Sequence, residues 1–238
     1  MIAVKHSGNI GDLIYSLPVL KHLSNLEGKT IFVYLNPVDE RMSHTLAEVV
    51  APLLEHQDYI SGTAIYEGQA LDYDLDDFRN FPHENLGEMH CKIFGYDFSI
   101  LNEKSIQIKP ELSYDLGAYD IIVNRTERYT NDRFPWASVL NEQYADQSKA
   151  FVGLPHEFEL FQKQFNIANL QYVPTQDYLQ VAWLINNSQL FVGNCSSPYA
   201  IAEGLKHPSI QESATWCLTC LYKRPTAYYF IHDFIQIT

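Results

Sequence analysis

A single carboxylate, Asp12, ends a glycine-bearing turn near the start of the chain. The apolar run from Ile2 to Val4 is typical of a buried strand, and an apolar segment that favours a helix begins at Leu13. Ligands of open α/β sheets bind beyond the carboxyl ends of strands. Asp12 therefore stands where a catalytic group would stand, although a carboxylate that only caps or charges the first helical turn would occupy the same position.

Two glycines, Gly8 and Gly11, precede this carboxylate. The turn is not the dinucleotide-binding fingerprint, which needs a third glycine, and no Gly-Lys-Ser/Thr follows to make it a phosphate loop. Glycines at this point allow a ligand to approach the backbone, and a helix start attracts anionic groups. We therefore place Gly8 and Gly11 among the residues expected to bind a ligand or its phosphates.

A polar loop from Arg125 to Arg133 follows a predicted strand at residues 120–124 and concentrates positive charge in an acidic chain. Guanidinium groups match phosphate oxygens, which makes this loop a candidate phosphate site. Its candidate ligands are a threonine and the two later arginines, Thr126, Arg128 and Arg133. The alternative is a solvated loop whose arginines pair with Glu127 and Asp132.

A small polar turn separates a predicted strand at residues 189–193 from a predicted helix opened by Pro198. The turn consists of four residues with polar or small side chains, Asn194, Cys195, Ser196 and Ser197. Hydroxyls and unpaired backbone N–H groups meet there, which favours an anion-binding pocket. A plain helix cap by Ser196 or Ser197 uses the same groups, so the sequence leaves both interpretations open.

The cysteines predict no metal site. Cys217 and Cys220 have the spacing of half a zinc site, but zinc takes four ligands and the sequence has no second pair. No histidine near Cys195 in the sequence would activate it as a nucleophile, and small buried cysteines are common beside strands. We therefore expect structural cysteines, no metal and no cofactor.

Composition excludes several classes of protein. The chain has 238 residues, is 46% hydrophobic and 19% charged, and carries a net charge of −13. This charge repels phosphate backbones and argues against a nucleic-acid partner. The sequence contains no apolar stretch of about 18 residues, so we expect no membrane-spanning helix. No signal-peptide pattern is present, and the four cysteines suit a reducing compartment, so we expect a cytoplasmic protein.

Strand-like and helix-like segments alternate along the chain, which predicts an α/β fold of parallel sheets with helices on their faces. We expect two doubly wound lobes, residues 1–115 and 116–238. Within the first lobe, residues 40–54 have helical periodicity, and the short run at 105–108 reads as a strand before Pro110. Most of residues 55–110 has no clear pattern.

Taken together, the three motifs resemble family 9 glycosyltransferases, the heptosyltransferase-like group with the GT-B fold. The first motif resembles that family's glycine–aspartate turn and its leucine–proline pair, here Leu17 and Pro18. The middle loop is similar at Arg133-Phe134-Pro135, or at Phe134-Pro135-Trp136. The third motif matches at six positions, Gly193, Asn194, Ser196, Pro198, Ile201 and Ala202.

The chain departs from the family pattern in the third motif. The family's aspartate falls on Cys195, its second glycine on Ser197 and its histidine on Ala200. The chain is also shorter than a typical member, and residues 36–118 carry none of the resemblance.

The resemblance implies a two-lobed GT-B-like protein with two Rossmann-like sheets and a cleft between them. Residues 1–115 would form the acceptor side, and residues 116–238 would bind the nucleotide sugar. Its implied activity is inverting, metal-independent transfer of a sugar from a nucleotide-sugar donor to a carbohydrate or other hydroxyl acceptor. Asp12 would be the general base, and Arg128 or Arg133 with the turn at Ser196 and Ser197 would stabilise the leaving diphosphate. By analogy Glu157 would lie near the donor's ribose, although an exposed helix face also suits this residue.

Two alternatives stay open. The altered third motif is compatible with a degenerate transferase that binds a nucleotide or nucleotide sugar without turnover. A nucleic-acid-modifying glycosyltransferase would require Arg125, Arg128 and Arg133 to form a basic stripe against the overall negative charge.

Overall fold

The computed structural model describes residues 1–37, 41–81 and 85–237. The described chain divides into two compact units. The first is Met1–Lys109 with Asp177–Leu179, and the second is Pro110–Gln176 with the chain from Gln180 onward. Which unit serves a donor and which serves an acceptor stays a prediction.

The first unit contains a four-stranded sheet of order β3-β2-β1-β4, in which all pairings are parallel. Its strands are β1 (Ile2–His6), β2 (Ile31–Leu35), β3 (Ile60–Ile65) and β4 (Tyr73–Asp74). Its helices are α1 (Ile10–Glu27), α2 (His44–Glu55) and α3 (Leu86–Phe94), with short 3-10 helices at Leu75–Asn80 and Phe98–Asn102. Alternate residues of β1 and β2 are buried, as the apolar run at the N-terminus predicts.

The second unit contains a seven-stranded sheet of order β11-β10-β9-β8-β5-β6-β7. Its strands are β5 (Ile121–Asn124), β6 (Lys149–Phe151), β7 (Leu170–Tyr172), β8 (Leu190–Asn194), β9 (Ser209–Glu212), β10 (Ala227–Phe230) and β11 (Phe234–Ile235). Every pairing is parallel except that of β10 with β11. The remaining helices are α4 (Pro155–Phe165), α5 (Tyr178–Asn186) and α6 (Ser197–Gly204), and a π-helical turn spans Ser138–Gln143.

Aromatic side chains fill the core of the second unit. The Trp136 ring lies edge-on to Phe161, with ring centroids 4.9 Å apart, and tilted against Phe134 at 4.6 Å. Phe151 of β6 also packs against Phe161 at 5.4 Å. Such contacts bury large apolar areas and thereby stabilise the sheet and its loops.

The predicted α/β fold with two mainly parallel sheets is confirmed. The strand predicted at 105–108 is wrong, because this segment is bound by side chains and not by a sheet ladder. The Tyr59 hydroxyl donates to the carbonyl of Ser105 at 2.8 Å, and the Gln107 N–H donates to the Gln57 side chain at 2.8 Å.

The helix predicted at 40–54 is observed as α2, while residue 40 lies outside the described residues. Among the helices that the structure describes, none has the length and apolar character needed to cross a membrane.

Candidate functional site

The strand order of the first sheet places the Asp12 turn at a topological switch point. The chain runs from β1 to its neighbour β2 and then to β3, whereas β4 returns to the other side of β1, so the strand order reverses at β1. Ligands of open α/β sheets bind in the crevice that such a reversal creates. The start of α1 and the 3-10 helix Leu75–Asn80 follow β1 and β4 at this edge of the sheet.

Asp12 lies at this edge and contacts Asn9 and Arg79. Its Oδ2 accepts a hydrogen bond from the Asn9 N–H at 3.1 Å and forms an ion pair with Arg79 Nη2 at 3.2 Å. The Asp12 side chain is 13% exposed, whereas that of Arg79 is 44% exposed. Burial raises the pKa of Asp12, and Arg79 and the Asn9 N–H offset part of this effect. Asp12 therefore caps the helix, as one interpretation expected, and also forms an ion pair that the sequence did not indicate.

Arg79 reaches Asp12 because the segment after β4 is bound to the end of β1. Ser7 donates two hydrogen bonds to Asp76, from its N–H at 2.8 Å and from its hydroxyl at 2.5 Å. Lys5 pairs with Asp74 at 2.6 Å. Sequence reasoning missed Arg79, because nothing in the poorly patterned segment 55–110 showed that a strand at Tyr73–Asp74 would pair with β1.

Two buried histidines pack behind the turn. His6 and His90 are fully buried, and each ring stacks on Phe78, with centroids 5.7 and 4.5 Å away. Burial lowers the pKa of His6 to about 3 and that of His90 to about 4, so both are neutral at physiological pH. His6 accepts the Gly8 N–H at Nδ1 over 3.0 Å and thereby fixes the turn.

Gly8 is required by the side chains around it. A Cβ at this position would lie 2.6 Å from His6 Cε1 and 2.8 Å from Asp12 Oδ2. The space beside Gly8 is therefore filled by the protein's own side chains. Gly11, predicted in the turn, is instead the second residue of α1. The expected ligand contacts of both glycines stay predictions.

The second sheet has its own switch point, where β5 lies between β8 and β6. The loop that begins at Arg125 and the turn at Asn194 follow β5 and β8, so two of the motifs meet at one edge. The fully buried Asn194 amide joins them: its Oδ1 accepts from the Thr126 N–H at 3.1 Å, and its Nδ2 donates to the carbonyls of Thr126 at 2.8 Å and Tyr129 at 3.3 Å. These hydrogen bonds hold the loop after β5 against the end of β8, so Asn194 and Thr126 have a structural role there.

The start of α6 lies at the same edge. Ser196 is the N-cap residue, but its hydroxyl donates to Asn124 Oδ1 at 2.7 Å instead of capping the helix. Ser196 and Ser197 are partly exposed. Pro198 has no N–H, and none of the described residues accepts a hydrogen bond from the N–H groups of Ser196 or Tyr199, so this helix start can offer donors to an anion, as the anion-pocket interpretation requires.

The three arginines of the loop have different environments. Arg125 donates to the buried carboxylate of Glu212 from Nε at 2.9 Å and from Nη2 at 3.2 Å. Arg128 is exposed and donates to the Tyr129 hydroxyl at 3.0 Å. Arg133 is exposed, and none of the residues in the described ranges forms a hydrogen bond or ion pair with its guanidinium.

The basic stripe of three arginines is therefore not formed, because Arg125 is bound to Glu212. Within the described part of the chain, neither Arg128 nor Arg133 pairs with Glu127 or Asp132, so both cations face solvent.

Glu157 lies at the start of α4, beyond the end of β6. Its carboxylate accepts the Leu154 N–H at 2.9 Å, and burial raises its pKa. Gly153 beside it has φ +144°, and a Cβ there would lie 2.9 Å from Glu157 Oε2. Glu157 therefore caps a helix, and its expected contact with a ribose stays a prediction.

Three cysteines meet behind the third motif. Cys195 is buried and interacts electrostatically with the thiols of Cys217 and Cys220. These contacts and burial raise the pKa of Cys195, so the thiol stays neutral and is a poor nucleophile.

Comparisons with solved structures identify the fold. The E. coli heptosyltransferase WaaC, solved with ADP-2-deoxy-2-fluoro heptose, matches with a TM-score of 0.60 at 12% identity over 88% of this chain and 87% of that chain. The chain has the heptosyltransferase fold. A family 9 glycosyltransferase from Veillonella parvula matches this fold with a TM-score of 0.57 at 13% identity over 88% of this chain and 79% of its own.

A third structure with the heptosyltransferase fold is TibC, described as an iron-containing dodecameric glycosyltransferase from enterotoxigenic E. coli. It matches with a TM-score of 0.64 at 12% identity over 95% of this chain, which spans 61% of TibC. No protein-family model and no curated protein sequence matches this chain. The expected GT-B-like fold is confirmed by these structures.

Proposed function

We propose that this chain transfers a sugar from a nucleotide-sugar donor to a hydroxyl acceptor, with inversion at the anomeric carbon and without a resident metal. The observation that carries the proposal is the Asp12 carboxylate, which lies in the switch-point crevice of the first sheet with a raised pKa. The heptosyltransferase fold supports the same reaction class, and WaaC and TibC were solved with ADP-heptose compounds.

Asp12 acts as the general base in this proposal. An alcohol is a poor nucleophile, and removing its proton in the transition state contributes about 10²–10⁴-fold to the rate. The base must be ionised and must keep an oxygen accessible. The Asn9 N–H and Arg79 both contact Oδ2, and in this proposal Oδ1 receives the proton.

The second unit holds the donor and stabilises its leaving group. As the glycosidic bond breaks, the nucleoside diphosphate gains negative charge. The exposed guanidinium groups of Arg128 and Arg133 and the first turn of α6 offer positive charge and N–H donors to it. Attack on the face opposite the diphosphate gives inversion.

The test is the nearly isosteric variant Asp12→Asn, assayed by release of nucleoside diphosphate from ADP-heptose and from other ADP- and UDP-sugars. Water serves as the acceptor until an acceptor is identified. We expect turnover to fall by about 10²–10⁴-fold, as loss of a general base predicts, while calorimetric binding of ADP is unchanged. Asp77→Asn, in an exposed residue of the neighbouring 3-10 helix, is the matched control and should retain activity. Full turnover by Asp12→Asn would refute the assignment.

The same assay tests metal independence and stereochemistry. In the described parts of the chain, no group of three or more histidine, cysteine or acidic side chains is arranged to hold a metal ion. Turnover should therefore survive dialysis against EDTA. The proton NMR spectrum of the product should report the inverted anomeric configuration, and retention would contradict the proposed attack.

Binding without turnover is the second candidate function. It is favoured by the third motif, where the acidic residue of the family is replaced by the buried, neutral Cys195. ADP binding by the wild-type chain, with no turnover of any donor in a broad acceptor mixture, would establish this alternative.

A further inference from the structure

A partly buried tyrosine and an exposed tryptophan form an aromatic pair in the loops that follow β5 and β9. Trp216 is 68% exposed, an unusual state for the largest apolar side chain. Its ring contacts Tyr129, with centroids 5.3 Å apart and planes inclined by 31°. Arg128 lies over the Tyr129 ring at 5.0 Å. Two stacking surfaces and a cation therefore stand together.

The pair is fixed to the proposed phosphate site from both sides. The Tyr129 carbonyl accepts from the buried Asn194 amide at 3.3 Å. Trp216 contacts the Tyr129 ring and follows β9, the strand next to β8, at whose end Asn194 lies. Asn194 and Cys195 directly precede Ser196, the N-cap residue of α6. The aromatic rings are thus held beside the helix start that attracts phosphate.

We propose that Trp216 and Tyr129 form a stacking surface for the base of the nucleotide whose phosphates bind at Arg128 and the start of α6. This inference rests on the proposed function, because it concerns the donor of that reaction. A planar base offers an aromatic face to a ring, whereas its phosphates need the adjacent cation. A nucleotide can stack its base on the exposed tryptophan and pair its phosphates with the arginine. An apolar protein segment would cover the tryptophan but would leave the arginine charge unpaired.

The assignment predicts that Trp216 contributes to binding of the base and not of the diphosphate. Trp216→Ala should weaken ADP and UDP binding about tenfold, the usual order for one base–aromatic stack, and should leave inorganic pyrophosphate binding unchanged. Trp216→Phe keeps an aromatic face and should restore most of the affinity. Leu218→Ala is the matched control, because Leu218 is 45% exposed in the same loop and does not belong to the pair.

Fluorescence gives an independent readout. The chain has three tryptophans, of which Trp136 is 1% exposed and Trp183 is partly buried. ADP should quench the emission of the wild type, and Trp216→Phe should abolish most of this quenching.

The possible outcomes separate the inference from the proposed function. If ADP binds to Trp216→Ala as tightly as to the wild type, the stacking assignment is overturned and donor binding stands. If the variant loses pyrophosphate and ADP affinity equally, the loop supports the anion site only, which also overturns it. If the wild type binds no nucleoside diphosphate, the proposed function itself fails.

Discussion

The Asp12 carboxylate binds two structural partners and is also the general base of the proposed reaction. The sequence offered a helix cap and a catalytic base as alternatives, and the structure shows that the Asn9 N–H caps the helix by donating to Oδ2. Arg79 lies on the same oxygen and stacks its guanidinium over Phe78 at 4.7 Å. The Arg79 side chain is more exposed than that of Asp12, so Arg79 lies on the solvent side of the carboxylate. Its positive charge lowers the pKa of Asp12.

The first residue-scale prediction concerns the pH dependence of turnover. Burial raises the pKa of Asp12 and the Arg79 charge lowers it, so Arg79→Gln should raise this pKa further. The base works only when ionised, and turnover rises with pH through its pKa. The acidic limb of the kcat/KM profile should therefore move to higher pH in Arg79→Gln.

The control for this prediction is Arg79→Lys, which keeps the positive charge and should leave the acidic limb near its wild-type position. A uniform loss of activity at every pH in Arg79→Gln, with an unchanged limb, would mean that Arg79 has only a structural or acceptor-binding part.

At the scale of elements, local sequence signals predicted those strands and helices that carry their own pattern. β1, β5 and β8 are short apolar runs bounded by polar residues, and α6 opens with a proline in its first turn. β4 has only two residues and exists because the end of β1 binds it through Lys5 and Asp74. No local pattern specifies such a strand, so the segment that delivers Arg79 could not be predicted.

The same limit explains why the partner of Arg125 was not predicted. Its partner, Glu212, lies 87 residues away at the end of β9, a strand that the sequence did not indicate. The Glu212 carboxylate also accepts from the Asn131 N–H at 2.6 Å and from Trp136 Nε1 at 3.2 Å. The buried Glu212 carboxylate of β9 thus binds both the loop after β5 and the core residue Trp136.

We predict that this ion pair stabilises the second unit. Arg125→Ala leaves the Glu212 charge buried beside fewer donors and should lower the free energy of unfolding by about 3–5 kcal/mol. Urea denaturation followed by circular dichroism measures the change. Arg133→Ala, at an exposed arginine of the same loop, should stay within about 0.5 kcal/mol of the wild type. Equal effects of the two substitutions would contradict the structural role of Arg125.

At the scale of the whole molecule, the two sheets present different chemistry at their switch points. The first offers a carboxylate, two neutral histidines and an arginine. The second offers a helix start and exposed cations in a chain with a net charge of −13. An anionic donor would find its favourable field in the second unit, since the rest of the molecule repels it. This contrast supports assigning the donor to residues from 110 onward.

Hydrogen exchange with and without ADP tests that division. A ligand that binds only the folded second unit stabilises it by RT ln(1 + [L]/Kd), about 2.7 kcal/mol at a concentration a hundredfold above Kd. Amides of β5, β8 and α6 that exchange through unfolding of this unit should therefore slow about a hundredfold. Amides of β1 and β2 should change far less, because the first unit has its own sheet and core. Protection concentrated instead around residues 7–12 would reverse the assignment and place the nucleotide with Asp12.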